Sequence, residues 1–88
     1  MTIYTFNGKV NIVGQRVRQR RKELKLSQKD LAAKMELEGV TIEQRAISRM
    51  EIGDRVVTDY EVLTLAKVLK VDVMWLLKVK SCLEALMQ

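Results

Sequence analysis

Apolar residues recur along the chain at the three- and four-residue spacing that is typical of amphipathic helices. The first such stretch predicts a helix over residues 12–24, with Asn11 as its N-cap. Its inner face is formed by Val13, Val17 and Leu24. Arg20 falls on the same face, so we expect its aliphatic stem to pack against the core and its charged end to reach solvent.

A second, shorter helix is predicted from Ser27, which suits an N-cap because Asp30 follows three residues later. The helix is expected to end at Met35, and its inner face is formed by Leu31, Ala32 and Met35. Residues 36–42 then form a seven-residue connector. Gly39 within it is able to take the positive φ that ends a helix.

The third predicted helix runs over residues 43–51, and Gly53 shortly after it is expected to prevent its continuation. Its inner face is formed by Ala46, Ile47 and Met50. Thr41 and Gln44 have the spacing of a capping box, so a start slightly before residue 43 is also possible. This helix is short, and its outer face is polar.

Two more helices complete the pattern. Thr58 and Glu61 match a second capping box, which predicts a fourth helix ending at about Lys70. Its inner face is formed by Val62, Leu63, Ala66 and Leu69. Asp72 is expected to cap a fifth helix around Trp75, and residues 80–88 are expected to add a helical turn or two.

These elements predict an all-α fold in one small domain, because 88 residues are too few for two domains. Proline is absent and no long alternating run of apolar and polar residues occurs, so strands are not expected. We expect residues 1–11 to form an N-terminal arm, either packed or flexible. Residues 12–78 form the helical domain, and residues 79–88 form a C-terminal helical extension.

Composition excludes several classes of function. Without histidine and with only Cys82 as a thiol, the chain cannot form a Cys/His zinc site, a histidine-based triad or an internal disulfide. No phosphate-cradling glycine loop occurs. The longest apolar run has five residues, far below the ~18 of a membrane span, and no signal peptide is visible. We therefore expect a cytoplasmic protein without membrane, cofactor, metal or catalytic function.

Positive charge is concentrated in the first third of the chain. Eight lysine or arginine residues and one acidic residue lie between Lys9 and Lys29, in a protein whose net charge is +5. Such a concentration indicates a polyanionic partner, although a solvated helix face has the same composition.

The outer face of the third helix carries side chains that suit the DNA major groove. Arg45 and Arg49 point away from Ile47, with Gln44 and Ser48 beside them. Arginine bonds guanine O6 and N7 together, glutamine bonds adenine N6 and N7, and serine suits either base or phosphate. Surface helices often carry the same residues, so this face is not decisive alone.

Four strings in order resemble the XRE (Cro/cI-type) helix-turn-helix family, to which phage repressors belong. The strings are found at residues 17–21 (VRQRR), 26–32 (LSQKDLA), 47–51 (ISRME) and 71–77 (VDVMWLL), and the resemblance extends over about three quarters of the chain, from about Val13 to Leu77. The resemblance implies a compact five-helix, lambda-repressor-like domain. It also implies a DNA-binding transcriptional regulator. We expect this regulator to be a repressor that is associated with the nucleoid.

The resemblance also implies roles for individual residues. The implied base-reading residues are Gln44, Arg45 and Arg49, and Ser48 is expected to join them because it lies beside them on the outer face. Gln28 is expected between a DNA phosphate and the recognition helix, and Arg21 is expected to form an internal salt bridge with Glu51. Further phosphate contacts are expected from Arg16, Arg18, Lys22, Lys29 and Arg55. The seven-residue connector is longer than the usual turn of 3–4 residues. The register of residues 43–45 on DNA is therefore less secure, and Thr41 or Glu43 could lie closer to the groove.

Two partner hypotheses remain open. In the first, residues 79–88 pair two copies into a homodimer that binds an inverted-repeat operator in double-stranded DNA. In the second, the domain is a protein-interaction module, such as an antitoxin-like subunit, whose DNA binding is secondary. Neither hypothesis fixes the operator sequence or the signal that switches the regulator.

Overall fold

A computed structural model describes residues 5, 6 and 8–78 of the chain. In this part five helices follow one another: α1 (Gly14–Glu23), α2 (Gln28–Leu37), α3 (Gln44–Glu51), α4 (Asp59–Leu69) and α5 (Val73–Leu76). The predicted all-α class is confirmed. The predicted helical extension at residues 79–88 lies outside the described residues, as do residues 1–4 of the arm.

The arm contains a tight turn that the helical interpretation overlooked. Phe6 and Lys9 form an isolated antiparallel bridge through two backbone hydrogen bonds, and Gly8 between them has a φ of +79°. The dipeptide Asn-Gly at positions 7–8 is a strong signal for such a turn. After this turn the Val10 amide donates to the Gly53 carbonyl at 3.0 Å, so the described part of the turn lies against the helical domain.

Two predicted helix bounds are wrong. α1 begins at Gly14, two residues after the predicted start, although Asn11 Oδ1 does accept the Gly14 amide proton at 2.9 Å. α2 continues two residues beyond Met35 to Leu37, which is 87% exposed. Because the two added residues are solvent-exposed, no apolar pattern marks them in the sequence, and Gly39 with a φ of +90° follows shortly after.

Helix capping follows the predictions at α2, α4 and α5 but not at α1, whose N-cap is Val13 rather than Asn11, nor at α3. The capping boxes Ser27–Asp30 and Thr58–Glu61 are both formed, and the Asp72 side chain accepts from the Met74 amide. The capping box predicted for Thr41 does not form, because the N-cap of α3 is Glu43 and its side chain makes no capping bond. α3 therefore begins without the local stabilisation that α2 and α4 have.

The core lies where α1, α2, α3 and α4 meet. Its fully buried side chains are Val13, Val17, Leu31, Met35, Ile47, Met50, Leu65, Leu69 and Leu76. One inward residue was predicted wrongly: Leu63 is 64% exposed, and Leu65 is buried in its place. Positions 62, 65, 66 and 69 follow the i, i+3, i+4, i+7 spacing of one helix face, and residue 63 lies a quarter-turn to its side.

Arg20 does not extend into solvent as predicted. Its Nε donates to the Leu69 carbonyl at 2.9 Å, and its Nη1 lies 3.2 Å from Glu23 Oε1. The bonded carbonyl belongs to the last residue of α4, where a cation satisfies a group that has no partner within the helix. Arg20 therefore joins α1 to the C-terminal end of α4.

Arg55 and Glu61 form an ion pair at the start of α4. The guanidinium donates to both carboxylate oxygens at 3.0 and 2.9 Å, and the Glu61 side chain is almost completely buried. Burial alone would raise the pKa of Glu61, but the hydrogen bonds from Arg55 and the Thr58 amide outweigh it. The pKa of Glu61 consequently lies below its ordinary value of 4.5.

This lowered pKa makes the stability of the domain depend on acid. The unfolded chain binds a proton at Glu61 more readily than the folded chain, so stability is present above pH 4.5 and is lost as pH falls through the folded value. We expect Glu61→Gln to destabilise the domain at neutral pH by about 1–3 kcal/mol, because charge-assisted bonds are lost. We also expect a shallower loss of stability in acid, measured by urea unfolding between pH 3 and pH 7.

The matched control is Asp59→Asn, which removes a charge from the same first turn at an exposed position. It should leave the acid-dependent loss close to that of the unsubstituted protein. Equal slopes of unfolding free energy against pH for Glu61→Gln and the unsubstituted protein would contradict the assignment to Glu61.

Candidate DNA interface

α3 presents a polar outer face above a buried inner face. Ile47 and Met50 are fully buried in the core, whereas Gln44, Arg45 and Arg49 are exposed. The fourth predicted base-reading residue, Ser48, is half-buried between them. The eight-residue helix is therefore fixed from one side and leaves its arginines to solvent.

The first residue of α2 joins this face. A shallow, open depression is lined by Gln28, Gln44, Arg45, Ser48 and Arg49. The structure thus places one predicted phosphate-contacting residue and all four predicted base-reading residues around one surface, which we call the α2–α3 face. Its side chains supply amide, hydroxyl and guanidinium donors, and none of these five residues is acidic. This donor set suits the acceptor-rich edges and phosphates of DNA.

A buried ion pair holds α3 against α1. Arg21 donates to both oxygens of Glu51, from Nε at 2.7 Å and from Nη2 at 3.1 Å. The remaining guanidinium nitrogen of Arg21 donates to the Leu26 carbonyl at 2.8 Å. Gln28 Nε2 donates to Glu51 Oε1 at 3.1 Å, so the same carboxylate also orients the first residue of α2. The Arg21–Glu51 pair implied by the family resemblance is present in the structure.

Arg49 contacts a nearby acidic residue, Asp54, which the sequence analysis did not assign to the site. Its Nε lies 3.4 Å from Asp54 Oδ2 and its Nη2 lies 3.4 Å from the Asp54 carbonyl oxygen. Both side chains are more than half exposed, so the pair is weak and readily exchanged for another acceptor. The Arg49 guanidinium is held at the α2–α3 face and remains available to another partner.

The residues predicted to contact phosphate fall into two groups. Arg18, Lys22 and Lys29 are exposed, and Arg18 and Lys22 line an open depression on the outer side of α1. Arg16 and Arg55 make internal contacts instead. The Arg16 guanidinium lies 4.9 Å from the Trp75 ring centre and donates to the Trp75 carbonyl, and Arg55 is paired with Glu61. The phosphate roles of all five remain predictions.

The connector between α2 and α3 has six residues, 38–43, rather than the seven predicted. Ile42 is buried and anchors it to the core, whereas Thr41 and Glu43 are exposed directly before α3. Glu38 at its start lies 2.8 Å from Lys67 of α4. The connector thus places one carboxylate, that of Glu43, beside the N-terminal end of the α2–α3 face.

Comparison with protein families agrees with this architecture. The profile of the helix-turn-helix family matches residues 17–76, which run from within α1 to the end of α5. The chain belongs to the XRE-type helix-turn-helix family. A search of curated proteins found no match to the chain. Membership makes the protein a DNA-binding regulator of the XRE type.

None of the helices in the described part of this XRE-type chain combines the length and the apolar composition needed to cross a membrane.

Two further residues contact the C-terminal end of α3 in a way that the sequence did not predict. Asn11 was assigned only to the start of α1, yet its side chain also donates to carbonyls of Met50 and Arg55. Lys9 was left in the arm, yet its Nζ donates to the Ile52 carbonyl at 3.1 Å. No sequence signal marks either contact, because each spans more than 35 residues of chain.

The Arg21–Glu51 pair leads to a stability prediction. Arg21→Met would leave the Glu51 carboxylate buried with Gln28 as its remaining side-chain partner, which should cost about 3 kcal/mol of unfolding free energy. The double variant Arg21→Met/Glu51→Leu removes both charges and should recover a large part of that loss. Urea unfolding followed by circular dichroism measures both values.

Arg18→Met is the matched control, because Arg18 is exposed on the same helix and should change stability by less than about 0.5 kcal/mol. A double variant as unstable as Arg21→Met alone would show that the stranded charge is not the cause of the loss.

Proposed function

We propose that the protein is a sequence-specific transcriptional regulator that binds double-stranded DNA and acts as a repressor. The observation that carries this proposal is the α2–α3 face. Hydrogen-bond donor side chains lie together on the exposed side of α3, and the opposite side of α3 is buried in the core. An α-helix with its side chains fits the major groove, which is about 12 Å wide. α3 is the recognition helix in this proposal.

Arg45 and Arg49 are separated by four residues and therefore lie one above the other on the helix surface. We assign each to one guanine, which a guanidinium contacts through O6 and N7. Gln44 then faces the next base at the start of α3, where adenine offers the matching donor and acceptor. Ser48 lies between the arginines and suits a base edge or a phosphate.

Phosphate contacts set the register of α3 in the groove and supply much of the affinity. Gln28 is suited to this role because it opens α2, where helix amide groups favour an anion, and because Glu51 already orients its side chain. The exposed cations Lys29, Lys22 and Arg18 extend the positive surface beyond it. A protein bound in this way would exclude other proteins from the operator, which supports the repressor role.

We further propose that two copies bind an inverted-repeat operator as a homodimer in the cytoplasm. A two-fold dimer would place two recognition helices about 34 Å apart, one turn of DNA. Residues 79–88 remain our proposal for the dimer contact. Sedimentation at tens of micromolar should give a particle of twice the 10.2 kDa chain mass.

The second candidate function is a protein-interaction module. Large apolar side chains exposed on α4 favour this second function. Tyr60 and Leu63 are 59% and 64% exposed and lie about one turn apart on this helix. In this case a protein partner would bind α4, and DNA binding would be the minor activity.

Selection of bound duplexes from a random library tests the proposed function. We expect an inverted repeat with half-sites about ten base pairs apart. Arg45→Ala and Arg49→Ala should each weaken binding to the selected duplex by about 1–3 kcal/mol and relax preference at one base pair. Lys29→Ala should weaken selected and random duplexes alike and lower the slope of log K against log salt by about 0.9.

Lys67→Ala is the control, since it removes the same charge from α4, where the proposal places no DNA. It should leave both the selected sequence and the salt slope unchanged. The absence of any enriched sequence, or a salt slope near zero for the unsubstituted protein, would contradict the proposed function and favour the protein-interaction module.

A further inference from the structure

The N-terminal turn, which we define as Phe6 and residues 8–11, lies against the C-terminal end of α3. Its bridge between Phe6 and Lys9 is closed by hydrogen bonds of 2.7 and 3.0 Å. From this turn the Val10 amide donates to the Gly53 carbonyl at 3.0 Å, directly after α3. The contact joins two parts of the chain that are more than forty residues apart.

Lys9 covers the residues that end α3. Its Nζ donates to the Ile52 carbonyl at 3.1 Å. At this position its positive charge also interacts favourably with the negative end of the helix dipole. Its aliphatic stem lies over Gly53, because a Cβ built on that glycine would be 2.7 Å from Lys9 Cδ. Gly53 has a φ of +82°, so glycine is required there both for its backbone conformation and for this approach.

Asn11 is the central contact of the turn. Its Oδ1 accepts the Gly14 amide proton at 2.9 Å, and its Nδ2 donates to the Met50 carbonyl at 3.1 Å and to the Arg55 carbonyl at 2.7 Å. One half-buried side chain thus joins the start of α1, the end of α3 and the loop after it. The helices touch closely here, since a Cβ on Gly14 would lie 2.0 Å from the Met50 carbonyl oxygen.

We propose that the N-terminal turn positions the recognition helix for base reading, with Asn11 and Lys9 as positioning residues. The proposal rests on the proposed function of α3. The Arg21–Glu51 pair fixes α3 through the Glu51 side chain. Asn11 adds a second fixed contact at the backbone carbonyl of the preceding residue, Met50. Two such points resist rotation of the helix about its axis, which would displace Arg49.

The loop after α3 connects the Asn11 contacts to the Arg49 side chain. Asn11 holds the Arg55 carbonyl, and the preceding residue, Asp54, holds Arg49. The Asp54 amide in turn donates to the Arg49 carbonyl at 2.9 Å. Loss of the Asn11 contact would therefore release the loop that orients Arg49, although Asn11 is assigned no contact with DNA.

Asn11→Asp separates the functions of the side chain. The carboxylate can still accept from the Gly14 amide, but it has no protons for the Met50 and Arg55 carbonyls. The measured quantity is the discrimination ratio, the Kd for a random duplex divided by the Kd for the selected duplex at the same salt. General repulsion from the added charge affects both duplexes and cancels in this ratio.

We expect Asn11→Asp to lower the discrimination ratio by about tenfold, comparable to the loss of one base contact. Lys9→Met keeps an aliphatic stem over Gly53 and removes only the amine, so a smaller loss of about threefold is expected. Hydrogen exchange provides a readout without DNA: the Gly53 and Asp54 amides, which donate to the Met50 and Arg49 carbonyls, should exchange faster in Asn11→Asp.

Gln15→Glu is the control, because it changes the charge equally at an exposed position in the first turn of α1, four residues after Asn11. It should leave the ratio and the exchange rates unchanged. A lower thermal midpoint for Asn11→Asp with an unchanged ratio would overturn the positioning role and leave a structural one. If Lys9→Met instead lowers the salt slope by about 0.9 and weakens both duplexes equally, Lys9 binds phosphate and is not a positioning residue.

The two proposals fail in different ways. If the unsubstituted protein discriminates between duplexes and Asn11→Asp does so equally, only the positioning role is overturned. If the unsubstituted protein shows no discrimination, the proposed function fails and the positioning role fails with it.

Discussion

The buried pair of Arg21 and Glu51 is the interaction on which the geometry of the α2–α3 face depends. Removing two charges from water is costly, and the pair compensates through two mutual hydrogen bonds and two more to Leu26 and Gln28. These bonds have strict directions, unlike apolar contacts. The pair therefore fixes how α3 is oriented on α1 and orients the Gln28 side chain at the start of α2, which a core of Val, Leu and Met alone would define less sharply.

α3 is held unequally at its two ends. The C-terminal end has Glu51 in the ion pair, Met50 bonded to Asn11 and the following Ile52 bonded to Lys9. The N-terminal end begins at Gln44, and its N-cap residue, Glu43, makes no side-chain capping bond. The backbone near Arg49 is consequently held by more contacts than the backbone near Gln44, and we expect the proposed base contact of Arg49 to be the better defined of the two.

The basic residues of α1 divide between structure and surface in a way that charge alone does not reveal. Arg16, Arg20 and Arg21 donate to Trp75, Leu69 and Glu51 respectively, so each joins α1 to another helix. Arg18 and Lys22 are exposed. A count of cations between Lys9 and Lys29 therefore overstates the charge available to a polyanion.

The sequence by itself determined the helices, their caps at Ser27, Thr58 and Asp72, and the polar face of α3, because these depend on interactions within a few residues. The four strings identified the family and its Arg21–Glu51 pair. Only the tertiary structure decided that Leu65 rather than Leu63 is buried, that α2 extends to exposed Leu37, and that the N-terminal turn meets α3. Asn11 shows the reason: one partner lies three residues away and is visible as a cap, whereas the Met50 and Arg55 carbonyls are brought to it only by folding.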